Sequence, residues 1–239
     1  MSTRTFRFEL GNGEFLVGDE LAGASPPWLY LHGLGAVRTG EKSGSLLAHA
    51  ERQGRGFRRI DLRGQGDSSG RLGQVPVSHV IDDVVRLLEG HRPTVIVGSS
   101  LGGLVGAYVA AARPDLVRGL ALLAPAFGLL GNLAQRLDAR GRMWTSEGTA
   151  FTVTPQVLAD AKALDEAGLG KRLQVPTLVV HGTADDVIPA RASERFFDAI
   201  ASAQKELWLV PGGDHRLNTV APTIWRRIDA LLGLPPAPA

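Results

Sequence analysis

The chain contains no cysteine, which removes disulfides, thiolate metal sites and a cysteine nucleophile together. It has no surplus of one charge: 26 Lys and Arg stand against 24 Asp and Glu, a formal net charge of +2. No segment concentrates Lys and Arg, so nucleic-acid binding has no electrostatic support. Long hydrophobic runs are missing too. The longest, Leu120 to Leu130, is interrupted by Pro125 and is too short to span a bilayer, which takes about 20 residues. The opening MSTRTFRFELGNGEF has no apolar core of the signal-peptide kind. These absences leave a cytoplasmic protein with no membrane span as the expectation. No cluster has metal-ligand spacing and no G-x-G-x-x-G follows a strand-like run, so neither a metal nor a cofactor is expected. The oligomeric state cannot be read from the sequence.

What is present is an ordinary globular balance, 44% apolar and 21% charged residues. A chain of 239 residues suits one domain, taken as 1–239. Strand-like runs occur at FRFEL, EFLVGDE, WLYLHG, FRRIDLRG, TVIVGS, VRGLALLAP, TLVVHG and KELWLVPG. The later ones are nearly continuous apolar runs, as parallel strands covered on both faces should be. Between them lie helical patterns, such as Val77, Val80, Ile81, Val84 and Leu88 after Pro76, and Val220, Ile224, Ile228 and Leu231. Alternation of this kind predicts an α/β fold built on a doubly wound, mostly parallel eight-stranded sheet. The first two runs, joined through Gly11, Asn12 and Gly13, predict an antiparallel hairpin at its edge. The rhythm breaks between Pro125 and Pro176. There Leu129, Leu133 and Leu137 suggest one short helix, and Val157, Leu158, Ala161 and Leu164 another, with MWTSEGTAFTV between. An insertion this long is expected to cap a site, over about residues 126–174. The tail PPAPA is expected to fray.

The strongest chemical signal is Gly98-Ser99-Ser100-Leu101-Gly102, which follows the strand TVIV and precedes the helical run LVGAYVAAA. G-x-S-x-G between a strand and a helix is the pattern of a nucleophile elbow. A serine that only caps the helix is the competing explanation. A nucleophilic serine needs a base, and in this arrangement the acid and then the histidine follow it in the chain. Four of the six histidines precede Ser100, and His181 precedes any suitable acid, which leaves His215. The acid is expected after the preceding strand, in HGTADD, where Asp185 is preferred over Asp186. Asp186 reads as a solvated neighbour or as a cap for the helix starting near Ala190. The backbone N–H groups of Leu101 and Leu34 are the expected donors to an oxyanion. His32 reads as a holder of the HGLG loop, and the charges of Asp61-Leu62-Arg63-Gly64-Gln65-Gly66-Asp67 as loop-stabilising pairs. Met143, Trp144 and Phe151 are candidates to line an acyl pocket, as are Leu129 and Leu130.

HGLG, DLRGQGDSSG, GSSLGG, HGTADDVIP and GGDHR, in that order, resemble the α/β-hydrolase superfamily over nearly the whole chain. LHGLG, the pair Lys42-Ser43, GDSSG, VGSSLGG with ARP, and DHR are similar to one branch of it. That branch holds bacterial carboxylesterases related to a mitochondrial hydrolase of protein thioesters and acyl glucuronides. The resemblance implies cofactor-free cleavage of small-molecule ester or thioester substrates by Ser100, Asp185 and His215. C–C bond hydrolysis and peptidase action on the same residues remain open, as does a non-catalytic binding protein on a hydrolase scaffold.

Overall fold

The computed structural model describes residues 3–145 and 148–235. Strands β1 (Arg4–Gly11) and β2 (Glu14–Leu21) pair antiparallel, and the chain turns through Gly11, Asn12 and Gly13, all at positive φ. There follow β3 (Ala24–Leu31), α1 (Glu41–Arg52), β4 (Arg55–Ile60), α2 (Val77–Leu88), β5 (Thr94–Ser99), α3 (Leu101–Ala112) and β6 (Val117–Leu123). A short 3-10 segment (Leu130–Arg136) leads to a small antiparallel hairpin, β7 (Arg142–Trp144) and β8 (Ala150–Thr152), and then to α4 (Pro155–Ala163) and α5 (Leu169–Arg172). The chain returns to the sheet with β9 (Thr177–Gly182), α6 (Ala190–Ala199), β10 (Lys205–Val210) and α7 (Ala221–Leu231).

Eight strands form one sheet in the order β1-β2-β4-β3-β5-β6-β9-β10, parallel from β4 onward. The predicted fold is thus the observed one. β5 and β9 are buried along their whole length, as their unbroken apolar runs require. On one face α2 buries Val80, Ile81, Val84, Leu87 and Leu88, and α3 and α6 pack beside it. On the other face α1 and α7 cover Trp28, Tyr30, Val95 and Val180. Those two helices are joined by a buried bond, His49 Nε2 to Asp229 Oδ2 at 2.7 Å.

The sequence pattern differs from the structure in four places, one of them the four-residue α5, too short to show a helical period. Helix α1 was not predicted: it is polar, and only Ser43, Leu46, His49 and Ala50 are buried. The run at Leu129 to Leu137 is a 3-10 segment, interrupted by Gly131, a residue that weakens an α-helix by about 1 kcal/mol relative to alanine. The stretch MWTSEGTAFTV contains the β7–β8 hairpin, whose three-residue strands are too short to show alternation; its Ser146 and Glu147 lie outside the described residues. All but the first residue of the PPAPA tail also lies outside them.

Candidate active site

At the end of β5 the chain turns sharply into α3, and Ser100 sits at the turn with φ 52° and ψ −114°. L-residues rarely occupy this region, and such strain gathers at functional sites. The turn needs its glycines for steric reasons. A Cβ on Gly98 would lie 2.2 Å from Gly102 O, and one on Gly102 would lie 2.2 Å from Leu31 O. Ser100 donates its N–H to Leu123 O, and its own carbonyl accepts from Leu104 and Ala126. Its side chain makes no capping bond to the helix.

The HGLG loop after β3 lies against this turn: a Cβ on Gly33 would be 3.3 Å from Ser100 Cβ. Among the described residues no hydrogen bond occupies the N–H of Leu34. The N–H of Leu101 is the first of α3 and has no acceptor within the helix. The loop is held from behind by the DLRGQGD segment. Gln65 Oε1 accepts from Gly35 N–H at 2.5 Å. The fully buried Asp61 accepts from the N–H groups of Arg38 and Asp67 and pairs with the Arg38 guanidinium.

His32 holds the loop as expected. Leu62 N–H donates to Nε2 at 3.0 Å, so the proton is on Nδ1, which donates to Gly33 O at 2.7 Å. Burial holds its pKa below the ordinary 6.5, so the folded protein resists the proton that the unfolded chain accepts. Stability therefore falls as pH drops below that value. Between about pH 7.5 and about pH 5, thermal unfolding should show a larger loss of Tm for the parent than for His32→Gln. Equal losses would show that His32 does not carry the linkage.

His215 follows β10, and its Nδ1 lies 2.7 Å from Asp185 Oδ2. Asp185 has no exposed side-chain surface. Its Oδ1 accepts from the N–H groups of Val187 and Ile188, both at 2.9 Å. Burial pushes the Asp185 carboxyl up, but bonds from His181, His215 and Ile188 outweigh it and hold the group well below the usual carboxylate range. With Nδ1–H committed to Asp185, His215 Nε2 is left as an acceptor, the form a general base requires. Asp186 is exposed and caps nothing; Pro189 occupies the cap position of α6. Asp214 accepts from Leu217 N–H within its loop.

Ser100, His215 and Leu34 line one open cleft of about 200 Å³, together with Lys42 and Arg216. Lys42 Nζ donates to Arg216 O at 2.5 Å, tying α1 to the loop that carries His215. Burial pulls Lys42 down to about 8, against the opposing charge of Asp214. Leu34 and Leu101 also border a separate apolar pocket of about 70 Å³, which takes in Leu129, Leu130, Met143 and Phe151. Trp144 corrects the expectation for this region. It is 46% exposed, outside the pocket, with the Arg142 guanidinium 5.5 Å from its ring centre. Adjacent residues of a strand face opposite ways, so Met143 inside puts Trp144 outside. Reasoning from sequence also missed His181, whose Nε2 lies 3.0 Å from Asp185 Oδ2. The separation of four residues within HGTAD was the available signal.

A strained serine at a strand-to-helix turn, beside a carboxylate-bound imidazole, is the framework of a hydrolase. A family model described as the alpha/beta hydrolase fold matches residues 26–160, and the chain belongs to that family. A second model, serine aminopeptidase S33, matches residues 143–219. Among curated proteins the chain is similar to the mitochondrial palmitoyl-protein thioesterase ABHD10 of mouse. The two are 28% identical over 90% of this chain and 76% of the relative. The bovine counterpart is 26% identical over 84% and 70%. Two solved structures share the fold. Mouse alpha/beta hydrolase domain-containing protein 10 has a TM-score of 0.81 at 24% identity, covering 97% of this chain and all of that one. A putative hydrolase from Agrobacterium vitis has 0.83 at 21%, covering 97% and 98%. Among the described residues no helix is long and apolar enough to cross a membrane.

Proposed function

We propose that the protein is a serine hydrolase that cleaves carboxylic esters or thioesters through an acyl-enzyme on Ser100. The observation that carries this is the 2.7 Å bond from His215 to Asp185 in a cleft that Ser100 also lines. In this reading His215 Nε2 takes the Ser100 proton as Oγ attacks the carbonyl carbon. The N–H groups of Leu34 and Leu101 hold the oxyanion, and His215 returns the proton to the leaving group. Water activated by the same imidazole then releases the acid and restores Ser100. The curated relatives named palmitoyl-protein thioesterase support the ester or thioester class.

Leu34 borders both the open cleft and the apolar pocket. In this reading the leaving group takes the cleft and the acyl chain takes the pocket, against Met143 and Phe151. At about 70 Å³ the pocket is roughly half the size of a cavity that holds benzene, which leaves space for about three carbons beyond the carbonyl. Across nitrophenyl esters from acetyl to palmitoyl, kcat/KM is therefore expected to peak at acetyl to butyryl. Met143→Ala should move the optimum to longer chains. A parent that prefers palmitoyl would overturn this assignment, and a folded parent that cleaves none would overturn the esterase reading.

The match to an aminopeptidase model favours a second reading, peptide cleavage from the N-terminus. Such a substrate brings an ammonium group, yet the cleft carries Lys42 and Arg216 against Glu41 alone. Aminoacyl nitroanilides, tested beside the esters, separate the two readings.

A further inference from the structure

His181 is the penultimate residue of β9 and has no exposed side-chain surface, directly behind Asp185. Its Nε2 lies 2.9 Å from Ile188 O and 3.0 Å from Asp185 Oδ2, and its Nδ1 lies 2.7 Å from Ser193 Oγ. Ile188 O can only accept, so Nε2 carries the proton. Nδ1 of the neutral ring then accepts from the Ser193 hydroxyl, which is itself fully buried in α6. That one Nε2–H is shared between Ile188 O and Asp185 Oδ2, so Oδ2 is approached by two imidazole nitrogens, His215 in front and His181 behind. His215 is partly exposed, while His181 is sealed in the core.

We propose that His181 is a positioning residue for the hydrolytic reaction, and that Ser193 holds it in the required tautomer. This rests on the reading of Asp185 as the acid that orients His215. The His181 N–H does two things. It fixes the Asp185 rotamer together with the two backbone donors on Oδ1, and it draws charge away from Oδ2, which limits how strongly the carboxylate stabilises a protonated His215. Removing it loosens the position of His215 and at the same time leaves Oδ2 more negative. The two effects are separable: the first lowers kcat, and the second makes His215 easier to protonate. The other charged groups around His215 are Lys42 and Glu41 of α1 and Asp214 and Arg216 of its own loop. All four remain in the variants, so a change in pH dependence reports on His181.

The test is kcat and kcat/KM against pH, with nitrophenyl butyrate, for the parent, His181→Leu, His181→Gln and Ser193→Ala. For His181→Leu, kcat should fall about 10- to 100-fold with KM little changed, the scale of loss when the group behind a metal-bound histidine is removed. Its acid limb should move to higher pH. His181→Gln places an amide N–H near the Nε2 position, so it should recover most of the rate and the parent's acid limb. Ser193→Ala removes one hydroxyl and weakens the donor, so its acid limb should move the same way by less; it decides the matter if His181→Leu fails to fold. A folded His181→Leu with parental kcat and pH profile would overturn the proposal. So would equal losses in the leucine and glutamine variants with no movement of the acid limb, which mark a purely structural residue. A parent with no activity would bring down the reading of Asp185, and this proposal with it.

Discussion

Ser100→Ala is expected to lower kcat on short nitrophenyl esters by about 10⁶-fold, the loss typical of a triad nucleophile, while Tm stays close to that of the parent. The two halves of this expectation have separate origins. The rate falls because Oγ is the atom that would bond to the carbonyl carbon, and neither flanking N–H group can replace it. What survives is the smaller contribution of substrate binding and oxyanion stabilisation. Stability is kept because the Ser100 side chain caps nothing. Alanine also carries a Cβ, so it meets the same strain at φ 52°. This separates the nucleophile from the capping serine that the same sequence permits. Loss of a true cap costs about 0.5–2 kcal/mol, which thermal unfolding would register. Kinetics, thermal unfolding and labelling with a fluorophosphonate give three readouts. A destabilised variant that keeps its esterase activity and its label would make Ser100 a cap and send the search for a nucleophile elsewhere.

How far the sequence could be read depended on what each segment packs against. The sheet was legible strand by strand because its central strands are covered on both faces and therefore written as uninterrupted apolar runs; β5 and β9 contain no exposed position. Helix α1 was not legible because only one narrow stripe of it is buried, and that stripe includes Ser43 and His49. The segment between β6 and β9 is expected from sequence to cap a site; in the structure its Leu129, Leu130, Met143 and Phe151 line the apolar pocket. Its internal structure was missed because β7 and β8 are held by each other and by glycine contacts to other loops, such as Gly35 against Thr145 and Gly73 against Thr152. Recognising β7 as a strand would have put Met143 and Trp144 on opposite sides. The order serine, acid, histidine selects His215, and the form HG-x-x-D with the later Pro189 selects Asp185 over Asp186; the structure joins the two at 2.7 Å. The same ordering set His181 aside, since it precedes the acid. The order rule finds the base, but it cannot find a second imidazole that serves the acid from behind.

Asp185→Asn should be the most damaging change among the groups around Ser100 that do not themselves bond to substrate. The loss expected in kcat is about 10⁴-fold, as when the acid of a serine triad is made an amide. Every partner of this carboxylate is a donor. Val187 and Ile188 N–H groups meet Oδ1, and His215 and His181 meet Oδ2. An amide has one acceptor and must turn its NH₂ toward one of these pairs. Facing the backbone, it sets donors against donors and leaves buried groups unpaired, at about 1–3 kcal/mol. Facing the imidazoles, it forces His215 to accept at Nδ1 and to carry its proton on Nε2, where it can no longer take one from Ser100. Either orientation fails, and the second also sets the amide against the buried His181 N–H. The pH dependence follows from the depressed pKa of Asp185. The stability it contributes is complete above the ordinary carboxylate value of 3.8 and is lost only as pH falls through the lower folded value. The stability gap between parent and Asp185→Asn should therefore be level through neutral pH and close only in strong acid. Asp186→Asn, at the exposed neighbour, is the control and should change neither rate nor stability. If Asp186→Asn were the inactive variant and Asp185→Asn kept its rate, the acid would have been assigned to the wrong carboxylate, and with it the role of His181.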